Sequence, residues 1–241
     1  MRRWHVLLIA ALVGVTSLLL VPFELLIARP MPPFALRALA IVQPAILTAL
    51  AVWLGERTAR CTGLRSPLVE AWLKGESPLA VLRGQAAPAM IAGLAVSLIL
   101  VVYGSTVGKQ LASHTRLASF DVPLISRVLY GGVTEELLMR WGLVSFLAWL
   151  GWRLMGRPDR MPAWLLATAI AMAALLFAVG HLPLVTAVAP AASAGVIVAV
   201  IAGNGVPGIL FGVLFVRNGL EAAMLAHMSA HLLATMILAA L

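Results

Sequence analysis

Long apolar runs separated by short polar breaks fill the chain, and most runs approach the roughly 20 residues a helix needs to cross a hydrocarbon core. The first is predicted over about Val6 to Ala28; Glu24 lies near its far end, close enough to the interface to snorkel, and Arg29 follows. Pro30-Met31-Pro32-Pro33 reads as a stiff turn, and span 2 follows from about Phe34 to Leu54, with Pro44 as a kink. The polar stretch Gly55 to Gly84 carries Ser66-Pro67 as a cap and first helical residue. Leu68, Trp72 and Leu73 then give a short interfacial helix, and Ser77-Pro78 gives a second start leading into span 3, about Gln85 to Tyr103. A polar loop to about Pro123, with Lys109, His114, Arg116 and Asp121, precedes span 4, which is apolar from Val128 to Leu150 apart from three charges.

Past the basic loop Arg153, Arg157, Arg160, span 5 covers about Pro162 to His181 and span 6 about Leu184 to Ala202. Within the latter, Ala187, Ala191 and Gly195 repeat every fourth residue, a small-residue seam that lets membrane helices approach closely. Asn204-Gly205-Val206-Pro207 is expected to turn. A short span 7 to Val216 with Gly208 and Gly212, the break Arg217-Asn218-Gly219, and span 8 from Leu220 to Leu241 complete the pattern.

Composition makes the reading firmer. Of 241 residues, 62% are hydrophobic and 11% charged, where soluble domains carry about 25% charged residues. The chain is therefore expected to be an all-α polytopic membrane protein, with about eight transmembrane helices around a polar intramembrane cavity. It is read as one transmembrane domain, 1–241, whose N-terminal spans (1–127) precede a core carrying the chemistry (128–241). The net charge of +8 is scattered through short loops, which suits anionic headgroups and cytoplasmic loops rather than nucleic acid. Ten basic residues fall on the N-terminal side and six on the other (Arg29, Arg37, Lys109, Arg116, Arg127, Arg217), so the N-terminus is expected in the cytoplasm, in a bacterial inner membrane. Met1-Arg2-Arg3 and the run behind it resemble a signal sequence, but the run exceeds the usual h-region of about 7–15 residues, so it reads as an uncleaved first span. A single cysteine, Cys61, excludes an intrachain disulfide and a multi-cysteine metal site.

The candidate chemistry centres on Gly131-Gly132-Val133-Thr134-Glu135-Glu136-Leu137-Leu138-Met139-Arg140. A charge at mid-membrane costs about 2.5 kcal/mol or more, so such residues have partners and jobs. With side chains turned by about 100° per residue, Glu136 and Arg140 share a face, glutamate first, the favourable order for a pair. Glu135 points elsewhere. The expected division of labour leaves Glu136 held by Arg140 and Glu135 free to act as a general base.

Three histidines also lie in apolar helices: His181 at the end of span 5, and His227 and His231 four apart in span 8. Exposing each to lipid would be costly, so all are expected to converge on one polar cavity with the acids. Such a set allows water activation for hydrolysis, proton relay in a transporter, or metal binding, with a divalent ion such as zinc. There is no His-Glu-x-x-His and no Gly-x-Ser-x-Gly.

Glu135-Glu136-x-x-x-Arg140, then Phe177-x-x-x-His181, then His227-x-x-x-His231 resemble the motif series of the CPBP family, the CAAX protease and bacteriocin-processing (Abi) membrane proteins, which include the type II CAAX prenyl endopeptidases. The resemblance covers about Val128 to Leu241. It implies an intramembrane peptidase acting on a peptide or protein at the bilayer surface, in which Glu135 and His181 activate water. It further implies that His227 and His231 stabilise the oxyanion, with Glu136 and Arg140 positioning the site. Where the family usually has asparagine this chain has His231, which keeps a metal-dependent mechanism open. The alternative within the same family is a non-catalytic bacteriocin-immunity or scaffold protein.

Overall fold

A computed structural model of the chain describes residues 2–25, 32–112 and 121–241, and among these no residue forms a strand. The helices are α1 Arg3–Ser17, α2 Pro33–Thr62, α3 Pro67–Lys74, α4 Pro78–Tyr103, α5 at 124–154, α6 Ala163–Gly180, α7 Leu182–Val188, α8 Ala194–Asn218 and α9 Leu220–Ala240. Proline opens α2, α3 and α4, where its missing N–H costs no hydrogen bond. Gly63 and Gly75, both at φ +74°, end α2 and α3 in the left-handed conformation that glycine adopts without strain.

Among the described residues, six helices are long and apolar enough to cross a membrane: Arg3–Leu20, Phe34–Thr62, Pro78–Gly108, Ala163–Thr186, Ala194–Asn218 and Leu220–Ala240. The run 124–154 is not among them, since it carries Arg127, Glu135, Glu136, Arg140 and Arg153. The chain is an integral, polytopic, all-helical membrane protein.

Several sequence expectations shift. The first span is shorter: α1 stops at Ser17, a 3₁₀ turn follows at Leu18–Leu20, and Pro22 separates it from Phe23–Leu25. Glu24 pairs with Arg37 at 3.4 Å; Arg29 and Pro30-Met31 lie outside the described residues, as do His114 and Arg116. Pro44 sits inside α2, which continues through Gly55 to Thr62. Ser66 does not cap α3; its hydroxyl donates instead to Glu221 of α9. The expected spans 6 and 7 are replaced by α7, a break at 189–193, and one continuous α8. Ser193 caps α8, its hydroxyl accepting from the Val196 N–H at 3.3 Å. Asn204–Pro207 is thus helix and not turn, Ala191 falls in the break rather than on a seam, and seven long helical runs replace eight among the described residues. Gly208 and Gly212 do form a close contact: a Cβ at either would lie 2.9 Å from Ala174 or 2.6 Å from Ile170 of α6.

Helix α5 is clamped on all sides. The Thr134 hydroxyl donates to Ala11 O at 2.8 Å, and the Ser126 hydroxyl to Ser17 O at 2.7 Å, so α5 lies antiparallel to α1. Much of α5 winds with i→i+5 hydrogen bonds (Arg127–Glu135 and Leu137–Val144), a rare geometry that is frequent at functional sites. At the N-terminal face, Arg3 bonds Glu56 at 2.8 Å and Glu70 at 3.1 Å. Nearby, Leu220 N–H donates to Arg65 O and Gln85 donates to Asn218 O, which gathers the ends of α1, α2, α4 and α8 with α3 and the start of α9. The α5 terminus reaches the same face. Arg217 therefore joins Arg2, Arg3, Arg57, Arg60, Arg65, Lys74, Arg83, Arg153, Arg157 and Arg160 there, while Arg37, Lys109 and Arg127 are the described basic residues at the opposite face.

Candidate active site

Between α2, α4, α5, α6, α8 and α9 lies a cavity of about 610 Å³, largely apolar, into which Glu135, His181, His227 and His231 all project. The convergence expected from the sequence is thus present. Glu136 and Arg140 lie just behind it, both buried.

The buried pair has the i, i+4 geometry read from the sequence, Arg140 Nη1 to Glu136 Oε1 at 3.1 Å. Arg140 Nη2 also donates to Gly208 O of α8 at 2.9 Å, and its guanidinium lies over the Phe211 ring at 5.6 Å. The same Glu136 Oε1 accepts from His227 Nδ1 at 2.8 Å. One carboxylate oxygen therefore ties α5 to α9 directly and to α8 through the arginine. A carboxylate that accepts from Nδ1–H leaves His227 Nε2 bare in the neutral ring, and makes it a donor only in the imidazolium form. The ring is sandwiched between Phe211 (4.7 Å, 22°) and His231 (5.0 Å, 27°).

Glu135 contrasts with its neighbour. Among the described residues no hydrogen bond or ion pair holds it, and it lies within electrostatic reach of His181 and His227. His181 ends α6, its Nδ1 donating to Phe177 O at 2.8 Å and its ring edge-on to Phe177 at 4.6 Å. Because a carbonyl only accepts, Nδ1 carries the proton and Nε2 of the neutral ring keeps its lone pair.

Sequence reasoning passed over several residues here. Gly131 is the nearest: a Cβ there would lie 3.2 Å from His231 Nε2, a tight approach, and 3.5 Å from His227 Nε2, an ordinary van der Waals contact. Its position four residues before Glu135 was a usable signal. Asn204 lines the cavity from within α8, its amide donating to Val200 O at 2.8 Å; the Asn-Gly pair disguised it as a turn. Gln43, Arg127, Tyr130 and Phe211 also line the cavity. No three His, Cys, Asp or Glu side chains among the described residues are placed to hold one metal ion, so the arrangement does not fit a zinc site.

Residues 119–233, the stretch that supplies α5, α6, α8 and most of α9, match the family model described as type II CAAX prenyl endopeptidase Rce1-like. Over that stretch the chain is similar to the CAAX protease family. No curated protein and no solved structure matches it. The similarity is to a family of CAAX-type intramembrane proteases, and every acid and imidazole lining the cavity comes from within the matched stretch.

Proposed function

We propose that this protein hydrolyses a peptide bond of a membrane-associated peptide or protein, with water activated by Glu135 and His181. The observation that supports this most is the asymmetry of the adjacent acids, Glu136 engaged by Arg140 and His227 while Glu135 faces the cavity unheld. In this reading, Glu135 takes one proton from water and the bare Nε2 of His181 accepts the other hydrogen, orienting the oxygen for attack on the carbonyl carbon. The carbonyl oxygen becomes an oxyanion that receives a hydrogen bond from Nε2–H of imidazolium His227, with His231 beside it. Protonated Glu135 then returns its proton to the amide nitrogen as the C–N bond breaks. Glu136 and Arg140 position His227 and touch no reacting atom. No step is routed through a metal, and cleavage is expected to survive a chelator.

The whole chain acts as one unit in this proposal: helices from 128–241 carry the chemistry and the earlier ones wall the cavity. The N-terminus is assigned to the cytoplasm of a bacterial inner membrane, because the basic residues concentrate on its face. The deciding experiment replaces Glu135 and His181 singly by alanine. Cleavage is expected to vanish in each while the protein still inserts, and full cleavage by either variant rejects the mechanism.

A further inference from the structure

A second cavity, of about 450 Å³, lies at the end of the molecule where Arg3 meets Glu56 and Glu70. The last turn of α2 and the loop after it supply Arg60, Gly63, Leu64 and Arg65, and α3 supplies Glu70, Leu73 and Lys74. None of its lining residues comes from the matched stretch 119–233, and none lines the cavity of the acids and imidazoles.

Its charges do not balance. Glu56 accepts from Arg3 at 2.8 Å and from Arg60 at 3.1 Å, and Glu70 from Arg3 at 3.1 Å and from Arg65 at 2.6 Å, so three guanidiniums share two carboxylates. Lys74 and Glu76, both exposed, stand 4.0 Å apart and offset each other. Part of the surplus is buried: the Arg3 side chain is 7% exposed, and among the described residues its Nη2 has no hydrogen-bond partner. Arg60 and Arg65 are instead exposed. Exposed ion pairs contribute little to stability, so both can turn a guanidinium edge to another anion at small cost.

The depth of this pocket in the bilayer is set by α3. Trp72 and Leu73 are exposed beside it, and an amphipathic helix with an outward tryptophan lies at the headgroup boundary. Leu64 and Leu73 add apolar wall next to the cations. Basic pockets between membrane helices bind anionic headgroups. A free phosphate would engage the cations and leave the leucines without a partner.

We propose that this pocket binds the phosphate of an anionic phospholipid, held by Arg60, Arg65 and Lys74 beside the buried charge of Arg3. The glycerol end lies against Leu73, where the acyl chains continue into the bilayer past Trp72. The bound phosphate supplies the negative charge that the three arginines lack and fastens α1 to α2 and α3. This site stands whether or not the hydrolytic reading does.

The test heats the full chain, purified and delipidated in a neutral detergent, with phosphatidylglycerol, with phosphatidylcholine or with inorganic phosphate. At about 100 times its dissociation constant, phosphatidylglycerol is expected to raise the melting temperature by roughly 5 °C, and the other two to leave it unchanged. Arg60→Gln combined with Lys74→Gln is expected to abolish the shift, each protein being compared with its own lipid-free melting temperature. Arg157→Gln combined with Arg160→Gln, at two exposed cations outside the pocket, is expected to retain it. Should the first double variant fail to fold, Lys74→Gln alone is expected to reduce both the shift and the phosphatidylglycerol retained in native mass spectrometry. An equal shift with inorganic phosphate assigns the pocket to a soluble anion and overturns the proposal, as does an equal shift with phosphatidylcholine. A shift that survives in the pocket variants, or that is lost equally in Arg157→Gln/Arg160→Gln through diffuse attraction, overturns it too.

Discussion

Glu135 and Glu136 are chain neighbours in opposite situations, because one residue of helical turn carries one acid into a buried knot of partners and the other into open space. That difference predicts two distinct phenotypes. Glu135→Gln is expected to lower the cleavage rate by about 10²–10⁴-fold, the usual worth of a positioned general base, with thermal stability unchanged. Glu136→Ala strands Arg140 and frees His227, and breaking a buried pair by removing one partner costs about 3–5 kcal/mol. A large fall in melting temperature in detergent should therefore accompany its loss of activity. Gly131→Ala tests the imidazole placement: the new Cβ, 3.2 Å from His231 Nε2, requires that ring to shift by a few tenths of an ångström. Small displacements of reacting groups are costly, so cleavage is expected to drop roughly tenfold or more in a protein that still folds. The Glu136–Arg140 contact was legible in the sequence because both residues ride one helix of known period. The Glu136–His227 bond was not, since it joins positions 91 apart through the register of two packed helices.

At the scale of elements, the instructive misreading is Asn204-Gly205-Val206-Pro207. In water these residues are turn chemistry. In hydrocarbon a turn would leave N–H and C=O groups without partners, and continuing the helix through Pro207 satisfies nearly all of them. Pro44 and Pro88 are absorbed in the same way by α2 and α4. The small residues of α8 were legible, and their contact with α6 gives a prediction. Gly212→Leu places a branched side chain where even a Cβ would be 2.6 Å from Ile170, and overpacking of this kind costs about 1–3 kcal/mol. A lowered melting temperature, with Glu135-dependent cleavage retained at low temperature, is the expected outcome. Equal stability to the parent would mean that α6 and α8 are not in contact there.

Over the whole molecule, one face is knitted together by ion pairs, and the cavity of the acids and imidazoles lies away from it. Helical class and membrane residence were plain from hydropathy alone, because the cost of burying polar groups in lipid leaves few other options. The closure of one end was not, as it depends on Arg3 reaching Glu56 and Glu70 across three different helices. Arg3→Ala removes two charge-assisted bonds worth about 1.5–3 kcal/mol each and is expected to lower the melting temperature while leaving the cleavage rate of the folded fraction unchanged.

A last consequence concerns Glu221. Its carboxylate receives the Ser66 hydroxyl and the Val69 N–H, so the top of α9 is latched to the short amphipathic α3, whose Trp72 and Leu73 remain outward. His227 hangs six residues further along the same rigid rod, about 9 Å down. The depth at which the twin imidazoles ride is thereby gauged from the headgroup layer rather than from the middle of the bilayer. Thinner or thicker lipid will tilt the surrounding helices, yet leave the rings at the height where Glu136 waits for them.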